Sequence, residues 1–247
     1  MPPTAPPTAS HPAGVAGHRA AWNTVMAGFL PALPDLEQAI MTTAERLTGP
    51  PARILDLGGG PGLLAERLAT RWPSARVTLA DLDPVLLALA AATVPPSVTV
   101  VEADLTDPSW PTRTGTGYHL VTAVMTVHYL DPAAIRCLYA AIRRILHPGG
   151  LLVVADVMPD DGLPAMMRAL ATPADPSGDS WSQWWAVLAA VPEFGDLLRR
   201  RAEIFRDRPP AEFTPAVSWH AAAARAAGFT EAGALWRHGR HAALAAR

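Results

Sequence analysis

Ile54-Leu55-Asp56-Leu57-Gly58-Gly59-Gly60-Pro61-Gly62 reads as a buried strand that runs into a glycine turn and then a helix. An acid stands at the strand end, two residues before the first glycine. Glycines at 58, 60 and 62 permit positive φ and let a ligand approach the backbone closely. The helix predicted over Leu63 to Thr70 points its free N–H groups back at the turn. Such a turn suits a nucleotide-like ligand. A dinucleotide fingerprint spaces its glycines G-x-G-x-x-G, so that a pyrophosphate sits on the helix N-terminus. Here the spacing is G-x-G-x-G, and Leu63 stands where the third glycine of that fingerprint falls. Taken alone, the same residues also describe a tight strand–helix turn that binds nothing.

Outward from the turn, strands and helices alternate. Strands are predicted over Arg53–Leu57, Val77–Ala80, Val98–Glu102, Leu120–Met125 and Leu151–Ala155, with further helices from about Pro84 to Ala92 and Pro132 to Leu146. Apolar strands alternating with amphipathic helices imply a parallel sheet covered on both faces. Two helices precede it, Gly17 to Phe29 and Pro34 to Thr48, parted by Pro31 and Pro34. Trp22, Met26 and Phe29 share one face of the first. Residues 159 to about 215 break the rhythm and carry Trp181, Trp184 and Trp185 at i, i+3, i+4. A last helix runs from Ser218, a candidate N-cap, to Ala227 and ends at Gly228. Thr230–Trp236 and Arg240–Ala245 form a hairpin around Gly239. The segments are therefore a Pro-rich disordered tail (1–16), a helical cap (17–50), a cofactor-binding core (51–158), a helical insertion or lid (159–215) and a closing helix and hairpin (216–247).

Half of the 247 residues are apolar and the net charge is −2, which fits a globular protein and supplies no field for nucleic acid or an anionic membrane. All 20 basic residues are Arg, so no lysine is present to act as base or Schiff-base former. With 26 Pro, this points to high-GC coding. Cys137 is alone, which rules out a disulfide framework or a cysteine zinc site; it is expected to be a buried apolar residue. No run of 18 apolar residues and no signal-peptide pattern occurs, so the expected location is the cytoplasm.

Five stretches, in order, resemble the class I S-adenosylmethionine-dependent methyltransferases. Together with the closing hairpin they span about residues 53–158 and 216–247. The opening stretch is similar to motif I, D-x-G-x-G-x-G. The resemblance implies that Asp56, Gly58, Gly60 and Gly62 hold the methionine part of the cofactor. Val77-Thr-Leu-Ala-Asp81-Leu82-Asp83-Pro84 is similar to D-x-[ST]-P; Asp81 and Asp83 compete for the ribose hydroxyls, and Asp81 is favoured, with Leu82 beside it and Asp83 as a helix cap. After Val98–Glu102, Asp104 is implied for the adenine amino group and the backbone of Leu105 for a ring nitrogen. Tyr118-His119-Leu-Val-Thr-Ala-Val-Met125-Thr126-Val-His128-Tyr129-Leu130 resembles F-D-L-V-x-S-x-x-x-L-H-H-L, with His119 and Tyr129 departing from it. Met125 is implied to line the sulfonium region, and His128 is the candidate catalytic base, weighed against an ordinary packed histidine. Leu146-His147-Pro148-Gly149-Gly150 resembles L-K-P-G-G, and Gly228-Phe229 a family A-G-F signature; both are structural.

The resemblance implies an α/β fold: a seven-stranded Rossmann-like sheet with a terminal antiparallel hairpin, helices on both faces, an N-terminal helical cap and an insertion after strand five. It implies S-adenosylmethionine as cofactor, S-adenosylhomocysteine as product, and no metal. The expected partner is a small-molecule methyl acceptor, plausible in specialised metabolism, with the enzyme a monomer or homodimer. Trp22, Met26, Trp181, Trp184 and Trp185 are candidates for an aromatic acceptor wall, against the alternative that they only pack the insertion. The run Arg199, Arg200, Arg201, Arg206, Arg208 reads as a solvated helix face or as a clamp for an acceptor anion. An RNA or protein methyltransferase calls for basic surface or an N/D-P-P-[YF] motif after strand four, and neither is present. A nicotinamide-dependent oxidoreductase is opposed by the glycine spacing and the hairpin.

Overall fold

Seven strands form one sheet in the order 3-2-1-4-5-7-6, and this order puts the glycine turn at its centre. A computed structural model describes residues 12–171 and 176–247; of the tail predicted over residues 1–16, residues 1–11 lie outside them and residues 12–16 are helical. The chain starts with α1 (Pro12–Phe29) and α2 (Leu33–Thr48), then runs β1 (Arg53–Leu57), α3 (Leu63–Arg71), β2 (Arg76–Asp81), α4 (Pro84–Thr93), β3 (Val98–Glu102), α5 (Trp110–Thr114), β4 (Tyr118–Val124), α6 (Pro132–Ile145) and β5 (Leu146–Val157). Helices α7 (Pro164–Ala169), α8 (Pro176–Ala189) and α9 (Gly195–Phe205) follow, then α10 (Val217–Ala226), β6 (Ala232–His238) and β7 (His241–Ala246). Strands β1 to β5 are parallel, and β7 pairs antiparallel with both β5 and β6.

Alternation along the central strands sorts the core into two layers. Leu55, Leu57, Val121, Ala123, Leu152 and Val154 face α6 and α10. Ile54, Leu120, Leu151 and Val153 face α2 and α3. Every central strand is apolar on both faces, as a sheet covered twice requires. A third cluster joins α1 and α8 to α4 through Val15, Trp22, Val85, Leu89, Trp184 and Leu188. Asp83 and Asp131 cap α4 and α6 by accepting backbone N–H bonds, and each is followed by a proline at the first helical position.

Several boundaries differ from the sequence reading. Helix α1 begins at Pro12 rather than Gly17, because a proline in the first turn lacks only an N–H that has no intrahelical partner, and Val15 is buried in the third cluster. The N-cap of α10 is Ala216; the Ser218 hydroxyl instead donates to Asp161. Strand β5 is longer than predicted and takes in the Pro148-Gly149-Gly150 turn. Cys137 is exposed, because it falls on the outer side of α6, while Leu138 and Ile142 face the core. Helix α5, with Trp110 buried, was not predicted. Met125 lies just past β4 with φ 52 rather than inside the strand. Among the described residues no helix is long and apolar enough to cross a membrane.

Candidate active site

In open parallel sheets, ligands bind at the C-terminal strand ends where the strand order reverses. Here that point lies between β1 and β4. The glycine turn leaves β1 there, and the Met125–Leu130 segment leaves β4 beside it.

Two glycines of the turn are needed for different reasons. A side chain on Gly58, at φ +62, would stand 2.4 Å from both Cγ2 and Oγ1 of Thr126, so its absence lets the β4 loop nest against the turn. Gly60 is needed for its φ of +54; a side chain there would only touch Trp22 Cζ2 at 3.8 Å and Leu86 Cδ1 at 3.9 Å. Asp81 stands at the end of β2. Its Oδ2 accepts from the Gly60 N–H at 2.8 Å and its Oδ1 from the Asp83 N–H at 2.9 Å. Burial pushes the Asp81 carboxyl up to about 6 against those bonds. Asp56 lies beneath the turn, 1% exposed. The Thr122 hydroxyl donates to its Oδ1 at 2.8 Å, while Oδ2 has no partner among the described residues. Burial pushes this carboxyl up to about 7, with the nearby Asp81 charge adding to the effect. Asp104 follows β3; burial raises it, but bonds from Thr106 and Arg208 outweigh that and hold it below the usual carboxylate range. Leu82 is half-buried beside Asp81, and Leu105 packs on the α6 side of the core.

On the β4 side, His128 Nδ1 lies 2.9 Å from Asp156 Oδ1. Asp156 comes from the C-terminal part of β5, next to Ala155, whose register partner is Val124 of β4. Its carboxylate is buried and also accepts the N–H groups of Thr126, His128 and Val157. A carboxylate that holds these bonds is an acceptor, so in the neutral ring the tautomer with its proton on Nδ1 is favoured and Nε2 keeps its lone pair. The Tyr129 ring lies 4.1 Å from that of His128 and is half exposed.

This arrangement of glycine turn, strand-end acids and sheet order has counterparts among known proteins. Residues 54–150 match the family model described as a methyltransferase domain. That segment carries the glycine turn, Asp81 and Asp104, and it is similar to a methyltransferase domain. Over 105 residues the chain is 35% identical to malonyl-[acyl-carrier protein] O-methyltransferase of Geobacter sulfurreducens, covering 42% of this chain and 38% of that protein. Over 45 residues it is 44% identical to trans-aconitate 2-methyltransferase of Streptomyces avermitilis, covering 18% of this chain and 17% of that one. The chain thus spans less than two-fifths of the curated relatives it matches. Its fold is similar to that of a proposed O-methyltransferase of Nostoc punctiforme (TM-score 0.60, 18% identity, 97% of this chain and 61% of that one). It is also similar to human N-acetylserotonin methyltransferase, solved in complex with SAM (TM-score 0.54, 18% identity, 85% and 51%).

Around the glycine turn, the aromatic candidates divide. Trp22 and Trp184 are buried against each other with ring centroids 4.8 Å apart, and the Trp184 indole donates to the His18 carbonyl at 3.0 Å. Met26, Trp181 and Trp185 are half-buried at the edge of the same cluster. Three arginines of the run are engaged by acids at the sheet edge, Arg200 with Glu102, Arg201 with Asp83 and Arg208 with Asp104, while Arg199 pairs with Asp196 on the exposed side of its own helix. The Arg201 guanidinium also lies 3.9 Å over Trp185. It is neither a bare solvated face nor a free anion clamp. His119 stacks on His147 in the part of β4 remote from the turn. From the sequence, Asp156 carries no assigned role. The signal was a lone acid closing the apolar run Leu151–Ala155, beside the strand that leads to His128.

Proposed function

We propose that the chain is an S-adenosylmethionine-dependent methyltransferase that methylates a hydroxyl group of a small, flat, uncharged molecule, with His128 as general base. The observation that supports this most is the bond between His128 and buried Asp156. A carboxylate acceptor is already ionised near neutral pH and needs no base, whereas a hydroxyl must lose its proton as it attacks. An imidazole fixed through Nδ1, with Nε2 unprotonated, is the group for that step.

The residues fit the cofactor. Asp56 Oδ2 is a buried carboxylate oxygen without a donor, on the inner side of the turn, where an ammonium group is stabilised. Gly60 has no side chain to hinder close approach, and the two Asp81 oxygens keep lone pairs for vicinal hydroxyls. Asp104 and the Leu105 N–H complete the adenine end. When bound, this group supplies an electrophilic methyl on a sulfonium and leaves as the neutral thioether of S-adenosylhomocysteine. The protein holds the acceptor hydroxyl against His128, Asp156 fixes the ring, and the proton of the hydroxyl passes to Nε2. Asp56, Asp81 and Asp156 make this cleft a poor environment for an anionic acceptor. Trp181, Trp185 and Tyr129 offer aromatic faces at its rim.

The curated relatives match 42% and 18% of this chain, too little of it to carry their acceptors over. A panel of phenols and polycarboxylic acids, followed by mass spectrometry for a 14-dalton gain, tests the reading. Methylation of the acids but of no phenol would overturn it.

A further inference from the structure

Among the described arginines, Arg19 of α1 is the one that is buried, 8% exposed. Its guanidinium is spent on the glycine turn. Nε donates to the Pro61 carbonyl at 2.7 Å, and Nη2 donates to the Gly62 carbonyl at 2.9 Å and to Glu66 of α3 at 2.7 Å. A charge taken out of water this far demands such partners. Two of the three are backbone oxygens of the ligand-facing turn, and they are adjacent in sequence, which matches the planar fork of an arginine and no other side chain.

The rest of the turn is held through its amides, and Arg19 acts on its carbonyl side. The amides at Gly58 and Gly59 both reach back to Ala80, Gly60 to Asp81, and Gly62 closes on Gly59. Nothing but Arg19 engages the Pro61 carbonyl among the described residues, and the Gly62 carbonyl otherwise receives only the Glu66 N–H. A glycine segment has more conformers to lose than any other on binding a ligand. One helical turn beyond Arg19, Trp22 lies over Gly60, and one residue before it the His18 carbonyl receives Trp184. Helix α1 therefore lies between the turn and α8, touching both.

We propose that Arg19 is a positioning residue for the methyl-donor site: it grips the Pro61 and Gly62 carbonyls so that the turn stands preset for the ligand, and it makes the seating of α1 a condition of cofactor affinity. The identity of that ligand rests on the methyltransferase reading; the grip on the turn does not. The test combines amide hydrogen exchange on the ligand-free protein with calorimetric titration of S-adenosylhomocysteine. In Arg19→Met, the Gly59, Gly60 and Gly62 amides are expected to exchange at least tenfold faster, β1, β4 and β5 keep wild-type protection, and affinity falls roughly 10- to 100-fold. Arg19→Lys, which keeps the charge but not the fork, restores only part of both. Wild-type turn protection in Arg19→Met overturns the proposal, as does an equal loss of protection through the whole sheet. Should Arg19→Met not fold, Arg19→Lys decides: full wild-type protection and affinity in that variant overturn the role of the fork. A wild-type protein that shows Arg19-dependent turn protection but no affinity for S-adenosylhomocysteine refutes the methyltransferase reading and leaves the grip standing.

Discussion

Asp156 holds His128 from below, Oδ1 to Nδ1 at 2.9 Å, while the other three donors to the same carboxylate are backbone N–H groups of the two segments that meet there. The ring and the loop that carries it are thus oriented by one buried charge. Replacing His128 by Gln is expected to lower kcat about 10²- to 10⁴-fold on a hydroxyl acceptor while calorimetry shows unchanged affinity for S-adenosylhomocysteine. Asp156→Asn reverses the preferred tautomer and should lower kcat over the same range, with some loss of Tm. Full activity in His128→Gln would return the residue to a packing role.

Asp81→Ala removes both carboxylate oxygens beside Gly60. The expected loss is about 1–3 kcal/mol of cofactor binding, read by the same titration. Asp83→Ala should behave differently. It removes the α4 cap and strands the charge of Arg201, so it lowers Tm more than ligand affinity. The opposite pattern would exchange the two roles.

Asp56, at about 7, and Asp81, at about 6, both lie above the ordinary 3.8. The folded protein therefore binds more protons at these groups than the unfolded chain does, from about pH 4 to 7. Their contribution to stability is fully present below the unfolded value and is lost as pH rises through 6 and 7. Asn at position 56 mimics the protonated acid and keeps an acceptor for Thr122. The Tm of Asp56→Asn should gain on wild type as pH goes from 5 to 8, by an equivalent of roughly 2–4 kcal/mol. His220, lowered by burial to about 4, acts with the opposite sign in the acid range but is common to both proteins and cancels in the difference. A pH-independent difference would show that Asp56 is ionised throughout.

Arg200, Arg201 and Arg208 tie the insertion to Glu102, Asp83 and Asp104, and Arg208 takes Oδ2 of Asp104, the acid assigned to adenine in the proposed function. Arg208→Ala is expected to speed dissociation of S-adenosylhomocysteine in stopped flow. In wild type the rate should rise with ionic strength, since two of these pairs are about half exposed on the arginine side. Salt-independent dissociation would separate the insertion from cofactor exchange.

Trp184→Ala opens a cavity in the cluster of α1, α4 and α8, and the expected cost is about 3–5 kcal/mol of stability. An unchanged Tm accompanied by a raised acceptor KM would place Trp184 in the acceptor wall instead.

The sheet was legible because its determinants are local: apolar runs such as Ile54–Leu57 and Leu151–Ala155, bounded by Gly and Pro, admit few alternatives. The glycine turn and the Asp83 cap were legible for the same reason, since Asp56 to Gly62 and Asp81 to Pro84 are contiguous. The His128–Asp156 pair was half visible, because it requires strand register, which links residues 28 positions apart. The grip of Arg19 on residues more than 40 positions away and the engagement of Arg208 by Asp104 were not visible at all. Both depend on how helices outside the sheet are placed, and composition does not encode that. Cys137 was misjudged because helix membership was read without its facing.

Thr126 nests in the notch left by the missing side chain of Gly58, donates its hydroxyl to the Leu57 carbonyl, and offers its own N–H to Asp156. One small residue thus touches both the turn and the carboxylate that orients His128. The spacing between the glycine turn and the imidazole is consequently gauged by the thickness of a threonine, and a bulkier residue at 126 would prise them apart while leaving the side chains of both unchanged.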